Sequence, residues 1–452
     1  MGLKRIDKKS YLYLFLKNFV VFWHNRVFYR RIVIQNRDQV PKNAHLIFTG
    51  NHQNALMDAL VFLIGVKGRL VFMARSDIFK NPFIAAILYF LRLLPIFRIK
   101  DGYSAVKKND EIFQKTIDVI KNKIGLVIMA EGNHGEERRL RSLKKGFARI
   151  AFQAEEANDF KLNMQVVPIG IDYSDYADYK TELLINFGKP ISVSDYVESY
   201  KENSAIAINQ MKKQLAKSLI PLMVHIKSET YYDLYNELRE IYKLEMAKKM
   251  GFPSAKQPYK LQADQALIKH LESFEEEHPN DMDAFQEVVI RYRDTIQKHK
   301  LSYSIVRKKT CPVLHLLAES LLFIIASPVF FLGWLLNYLP FGFSFWVERQ
   351  FKDKQFRSSV KFVVSMFIWP LFHFLETLVV WFLFKEWTII LGFFIAMPIL
   401  GILARAYWVS YSQFLKAWRW SRLKKKNIEA YRSIKNDQQE IFSKTAAIVA
   451  EA

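Results

Sequence analysis

Gly50-Asn51-His52-Gln53-Asn54-Ala55-Leu56-Met57-Asp58 follows directly on the apolar run Ala44-His45-Leu46-Ile47-Phe48 and leads into the helical pattern Ala59-Leu60-Val61-Phe62-Leu63. An imidazole and a carboxylate six positions apart, where a short strand gives way to a helix, can activate a hydroxyl. A neutral His accepts a proton through one ring nitrogen while a carboxylate holds the other N–H and stabilises the imidazolium that forms. Within one continuous helix, six positions put two side chains about 240° apart. His52 is therefore expected in the turn before the helix, reaching back toward Asp58. The competing reading makes Asn51 a helix cap, His52 a packed residue at the helix start and Asp58 a solvated first-turn acid.

Outward from this stretch, short β-branched apolar runs alternate with amphipathic helical patterns from Ile32 to about Tyr173, the signature of an α/β domain. Strands are predicted at 46–49, 70–74, 95–99, 126–129 and 165–171. Ligands of open α/β sheets gather beyond the carboxyl ends of the strands, and three of these stretches carry notable chemistry there. Leu94-Pro95-Ile96-Phe97-Arg98 ends in a guanidinium, a planar fork that suits phosphate or carboxylate, although a surface Arg is the plain alternative. Val127-Ile128-Met129-Ala130-Glu131-Gly132-Asn133-His134-Gly135 closes an apolar strand with a carboxylate and a tight turn, and a basic run through Lys144 and Lys145 leads into a helix at 147–151. A carboxylate in such a turn can bind hydroxyls, and a basic run before a helix N-terminus can hold phosphate; a solvated loop is the alternative. Val166-Val167-Pro168-Ile169-Gly170-Ile171 is an apolar strand interrupted by Pro, which lacks a ladder donor. It is expected at a sheet edge or bulge, with Val167 and Pro168 shaping a pocket.

The chain has 452 residues and a formal net charge of +22, which admits nucleic acid or an anionic membrane surface as partner. The aromatics decide for the membrane. They concentrate in the first 30 residues and in 311–420, and not on a basic soluble face as a nucleic-acid binder requires. Residues 9–34 carry aromatic and aliphatic positions with Lys17, His24, Arg26, Arg30 and Arg31 in a helical rhythm, which reads as a membrane-surface helix or as a core helix of the next domain. The run at 11–16 is cut by Lys17 and makes a poor signal peptide. Residues 196–310 are charged helical segments broken at Gly251-Phe252-Pro253 and His278-Pro279-Asn280 and are read as a helical insert.

Beyond residue 310 the apolar stretches 321–347, 362–384 and 387–404 approach or exceed the roughly 20 residues that cross a core of ~30 Å. Basic residues at 349–361 and at 422–426 put both flanks of the hairpin at Lys385-Glu386 on the cytoplasmic side. Three crossings do not satisfy this, so the first stretch, with Pro328, Gly333, Pro340 and Gly342, is expected to be a re-entrant or interfacial helical pair. His373 and Glu376 share a helix face and are read as packing groups. The single Cys311 excludes a disulfide framework and a multi-Cys zinc site, and no metal cluster is visible.

In this order and spacing, Asn51-His52…Asp58, Pro95-Ile96-Phe97-Arg98, Glu131-Gly132 and Val167-Pro168-Ile169 resemble the four blocks of the glycerophospholipid acyltransferases, the superfamily of lysophosphatidate and glycerol-3-phosphate acyltransferases. The resemblance covers about residues 30–190. Two features depart from the commonest pattern: five residues rather than four separate His52 from Asp58, and the third block reads Met129-Ala130-Glu131-Gly132-Asn133 in place of Phe-Pro-Glu-Gly followed by Thr or Ser. The five-residue spacing and Leu143-Lys144-Lys145-Gly146 resemble the branch of fungal-type glycerol-3-phosphate and dihydroxyacetone-phosphate acyltransferases.

The resemblance implies an acyltransferase-type mixed sheet with flanking helices, here followed by a helical insert and a C-terminal helical membrane region. The corresponding division is 1–31 membrane-surface helix, 32–195 acyltransferase domain, 196–310 insert, 311–409 membrane helices and 410–452 basic tail. It implies transfer of a fatty acyl group from acyl-CoA or acyl-carrier protein, with no cofactor, to a hydroxyl of glycerol 3-phosphate or 1-acylglycerol 3-phosphate. His52 would be the general base and Asp58 its partner. Asn51, Arg98 and Lys144 would contact substrate, Arg98 holding the phosphate, and Glu131 with Gly132 would position the glycerol hydroxyls. The expected setting is a membrane protein with its catalytic domain on the cytoplasmic face and membrane lipids as partners. Alternatives are acylation of another lyso-lipid, such as an amino-acid lipid, and a non-catalytic lipid-binding protein on the same fold.

Overall fold

The computed structural model describes residues 6–97, 109–176, 178–308, 312–351 and 353–451. Arg98 and Cys311 lie outside them. The chain folds as two compact units, Met1–His225 with Phe351–Phe362, and Ile226–Gln350 with Val363–Ala452.

In the first unit eight strands form one mixed sheet: β1 Tyr29–Gln35, β2 Leu46–Gly50, β3 Leu70–Arg75, β4 Leu93–Ile96, β5 Gly125–Val127, β6 Gln165–Tyr173, β7 Thr181–Phe187 and β8 Ile191–Ser192. Their order is β1-β7-β6-β2-β5-β3-β4, with β8 beside β6. The pairs are parallel except β6 with β7 and β6 with β8. The helices are α1 Tyr11–Phe22, α2 Ala55–Gly65, α3 Pro82–Phe90, α4 Asn109–Lys121, α5 Gly146–Glu156, α6 Val197–Glu202 and α7 Ser204–Leu219. Helix α5 shows how pattern becomes packing. Phe147, Ala148, Ile150, Ala151 and Ala154 are buried while Arg149 and Gln153 stay exposed, so a 3.6-residue repeat turns one stripe onto the sheet. These side chains join Ile47, Val71, Leu126 and Val166 in one continuous core. The result is that β2, the strand running to His52, lies deep in the sheet between β5 and β6.

Three expectations are corrected here. The helix read across 9–34 ends earlier: α1 is followed by a wide helical turn at Trp23–Phe28, and Tyr29–Gln35 is a strand. Long-range pairing decides this, because Ile32, Val33 and Ile34 align with Leu183, Leu184 and Ile185 of β7. The strand holding Val167 and Pro168 is interior, not an edge: Thr49 of β2 pairs with Pro168. On its other side β7 pairs only from Ile169 onward and β8 only with Gln165 and Val166. Pro168 falls in the gap between them and its carbonyl accepts Gly188 N–H at 2.8 Å, so the missing donor breaks no ladder bond. Finally, α6 and α7 fold with the first unit rather than with the insert.

The second unit is helical: α8 Tyr232–Ile241, α9 Lys243–Lys249, α10 Tyr259–Glu277, α11 Pro279–Lys298, α12 Tyr303–Arg307, α13 Val313–Arg349, α14 Lys354–Phe384 from Val363 onward, α15 Trp387–Lys426 and α16 Ile428–Glu451. Three of them, α13, α14 and α15, are long and apolar enough to cross a membrane. The chain is that of a membrane protein. Contrary to the expected helical pair, α13 is one helix that continues through Pro328 and Pro340. Pro328 removes the donor for the Ile324 carbonyl, and the Ser327 hydroxyl supplies one at 2.7 Å, which lets a proline persist in an apolar helix. Gly333 admits α15 so closely that a Cβ there would stand 2.3 Å from the Leu400 carbonyl. His373 of α14 packs its ring on Phe394 of α15 at 4.6 Å.

Candidate active site

The site is built where β2 ends. Gly50 lies so near β6 that a Cβ would stand 2.6 Å from the Ile169 carbonyl. The Asn51 side chain then extends the ladder: Oδ1 accepts Ile171 N–H at 2.7 Å and Nδ2 donates to the Ile171 carbonyl at 2.9 Å. A side-chain amide thus stands in for a backbone pair and fastens the strand end. Both amide groups are engaged within the protein and the residue is 1% exposed.

His52 occupies the turn before α2, and its Nδ1 meets Asp58 Oδ2 at 2.8 Å. Asp58 sits in the first turn of α2, fully buried. Its Oδ2 also accepts Gln53 N–H at 2.8 Å and Asn54 N–H at 2.6 Å, and its Oδ1 accepts the Tyr173 hydroxyl at 2.7 Å. A carboxylate with four donors has one orientation, and it fixes the imidazole with Nδ1–H toward Asp58. The Nε2 side has no hydrogen-bond partner among the described residues and remains for a proton in transit. Burial and the Asp58 charge push the Tyr173 phenol well above its usual range, so it stays a donor.

Glu131 and Gly132 follow β5. Glu131 Oε1 accepts His52 N–H at 2.9 Å and Oε2 accepts Arg141 Nε–H at 2.7 Å. Its side chain is completely buried, and the carboxylate joins the His52 backbone to the Arg141 guanidinium. Burial raises its pKa, opposed by the His52 N–H and the Arg141 charge. Arg141 continues the brace, donating to the carbonyls of His134 at 2.8 Å and His52 at 3.3 Å and also to that of Asn133. Gly132 has φ +74°, a turn conformation that favours glycine, and a Cβ there would press on the Lys144 stem at 3.1 Å. Lys144 is exposed beside it and its N–H bonds the Ala130 carbonyl at 2.6 Å. The His134 ring stands edge-on to the His52 ring at 5.5 Å. Burial, with His52 and Arg141 nearby, lowers its pKa.

The structure therefore gathers His52, Asp58, Asn51, Glu131, Gly132 and Lys144 at one end of the sheet, with Val167 and Pro168 buried beside Phe48 and Thr49 of β2. Arg98 lies outside the described residues, just past β4. Reading the sequence missed Tyr173, Arg141, His134 and Tyr176, whose hydroxyl donates to Gln53 Oε1 at 2.7 Å. Arg141 and His134 stood inside a stretch already singled out, and Tyr173 ends the strand predicted at 165–171.

Residues 31–172 match the family model described as Acyltransferase. The segment is a domain of the glycerophospholipid acyltransferase superfamily. This acyltransferase domain is 29% identical over 118 residues to the Saccharomyces cerevisiae protein named glycerol-3-phosphate O-acyltransferase 2, covering 26% of this chain and 16% of the yeast protein. The chain thus spans about a sixth of that relative. It is 22% identical over 200 residues to the 1-acyl-sn-glycerol-3-phosphate acyltransferase of Borreliella burgdorferi, covering 44% of this chain and 72% of the relative. The crystal structure of the Thermotoga maritima 1-acyl-sn-glycerophosphate acyltransferase PlsC aligns with a TM-score of 0.32 at 16% identity, over 46% of this chain and 79% of that one.

Proposed function

We propose that the protein is a membrane-bound glycerolipid O-acyltransferase that moves an acyl group from an acyl thioester to a hydroxyl of glycerol 3-phosphate or 1-acylglycerol 3-phosphate. The observation that carries this is the imidazole of His52, held at Nδ1 by a four-donor Asp58 with Nε2 directed to no protein group among the described residues. Nε2 takes the acceptor's hydroxyl proton as its oxygen attacks the thioester carbonyl. Collapse of the tetrahedral adduct breaks the C–S bond, and the departing thiolate takes the proton back from the imidazolium, giving ester and free thiol. A base placed in this way contributes roughly 10²–10⁴ in rate. Arg98 and the exposed Lys144 are assigned to the acceptor's phosphate, and Glu131 with Arg141 to the stiffness of the His52 turn. Purified wild-type and His52→Ala protein, assayed with labelled acyl-CoA and a panel of glycerol phosphates and lyso-lipids, test the reading. Loss of transfer of at least a hundredfold supports it, equal turnover by the two proteins refutes it, and the panel selects the acceptor.

The catalytic domain is assigned to the cytoplasmic face. Among the described residues before α13, the apolar helix Ala55–Gly65 is too short to cross. Residues Phe351–Phe362 fold with the acyltransferase domain. The basic flanks at Arg349, Arg357 and Lys361 and at Lys424, Lys425 and Lys426 support α14 and α15 as a crossing pair with both outer ends on the cytoplasmic side. Helix α1 exposes Tyr11 and Phe15, and α3, joined to it through Tyr13 and Phe90 at 6.3 Å, exposes Phe83 and Ile84. This apolar face fits the bilayer surface from which a lipid substrate is drawn. Reporters after Gln350 and at Lys385 check the arrangement: protease access on opposite sides is expected, and access on the same side refutes it.

A further inference from the structure

The turn between His52 and Asp58 is held from far along the chain. Ala55 begins α2 with φ +43°, a left-handed conformation that a β-carbon disfavours. Such a turn persists only when its neighbours over-determine it. Asp58 secures the backbone of Gln53 and Asn54. The Asn54 side chain is secured separately: Nδ2 donates to the Tyr176 carbonyl at 3.2 Å, and Oδ1 accepts the hydroxyl of Ser358, a residue 304 positions later. Ser358 is 1% exposed and lies in the first turns of α14. The same turns reach the other side of the site. The Phe356 ring stands edge-on to His134 at 4.7 Å, and His134 stands edge-on to His52. Further along, the Lys361 carbonyl accepts the Tyr179 hydroxyl at 3.1 Å, and Phe362 packs on Phe28 at 5.5 Å and His24 at 5.9 Å.

We propose that Ser358, in the segment 353–362, is a positioning residue of the acyl-transfer site that fixes, through Asn54, the turn joining His52 to Asp58. The proposal rests on the reading of His52 as general base. Its chemical sense is that a base in a strained turn keeps its aim only while the turn is pinned, and a hydroxyl-to-amide bond in a buried site supplies that pin. The segment lies outside the matched residues 31–172, so the catalytic geometry of this chain depends on sequence that the domain itself lacks.

The test uses the full-length protein in mixed detergent–phospholipid micelles with four variants: Ser358→Ala, Ser358→Thr, Asn54→Ala and the double Ser358→Ala/Asn54→Ala. Ser359→Ala, a buried neighbour on the same helix whose hydroxyl has no partner among the described residues, serves as the folding control. Two readouts are taken: kcat and KM for each substrate, and the pH profile of His52 carbethoxylation by diethyl pyrocarbonate, followed by peptide mass spectrometry. Expected are a kcat about tenfold lower in Ser358→Ala with both KM values kept, recovery in Ser358→Thr, a double variant no worse than Asn54→Ala, and an altered His52 profile. A Ser358→Ala protein with wild-type kcat and wild-type His52 reactivity overturns the proposal, as do fully additive losses in the double variant. If wild-type protein transfers no acyl group to any acceptor, the general-base reading fails, and the His52 reactivity comparison still decides whether Ser358 positions it.

Discussion

Tyr173, the last residue of β6, donates its hydroxyl to Asp58 Oδ1 at 2.7 Å across the sheet. The bond joins a strand end to the first turn of a helix 115 positions earlier, and both residues are buried. It withdraws negative charge from the carboxylate that faces His52. Tyr173→Phe removes the donor without changing the ring. We expect kcat to fall about tenfold, the value of one hydrogen bond to a charged group, with both KM values kept. Steady-state kinetics check it, and a wild-type kcat would leave Tyr173 a packing residue.

Arg141 links Glu131 to three carbonyls of the site, those of His52, Asn133 and His134. A guanidinium can do this because its donors spread over a planar fork, whereas an ammonium offers one point. Arg141→Lys is expected to lower kcat/KM by about a hundredfold, roughly two hydrogen bonds at the charged-group value, while the helical content seen by circular dichroism stays unchanged. Steady-state kinetics of the variant check it, and a loss below threefold contradicts the bracing role.

Gly170 faces the segment that follows α7, and a Cβ there would stand 2.1 Å from the Leu222 carbonyl oxygen and 2.4 Å from its Cβ. Backbone cannot rotate away as a side chain does. Gly170→Ala should therefore destabilise the first unit by about 1–3 kcal/mol, read as a lower thermal midpoint, whereas Gly146→Ala, with open space at its Cβ, should not.

His24 is fully buried, its ring against Tyr29 at 4.6 Å and its Nε2 without a partner. Burial lowers its pKa from 6.5 to about 4. In the unfolded chain the imidazole takes up a proton near pH 6.5 that the folded protein refuses until about pH 4. Its contribution is thus complete above pH 6.5 and is lost as pH falls toward 4, to an extent on the order of 3 kcal/mol. Wild-type protein should lose more thermal stability than His24→Leu between pH 7 and pH 4.5; parallel losses would contradict this.

What the sequence disclosed and what it hid follow one physical rule. Strands β2, β3, β5 and β6 were legible because apolar runs bounded by turn residues need no knowledge of partners, and the His52–Asp58 meeting was legible because both residues share one turn. Tyr29–Gln35 was hidden. Its Arg30 and Arg31 fit a helical rhythm, and only pairing with β7, 152 positions away, makes it a strand. Pro168 read as an edge signal because the gap between β7 and β8 is a property of the assembled sheet. Helix α13 read as broken because the hydroxyl that replaces the missing proline donor is visible only as a contact. Ser358 carries no local mark at all, since its meaning comes entirely from Asn54.

The pairing of β1 with β7 sets a practical limit on dissecting the protein. A fragment cut to the matched residues 31–172 would discard Tyr29, which is 2% exposed, and would lose β7 itself. The flank of β6 would then be left bare, a row of unsatisfied amides inviting a neighbouring molecule to add a strand. Such a fragment is expected to precipitate, and the smallest soluble working piece must reach upstream of residue 29 and well past residue 187.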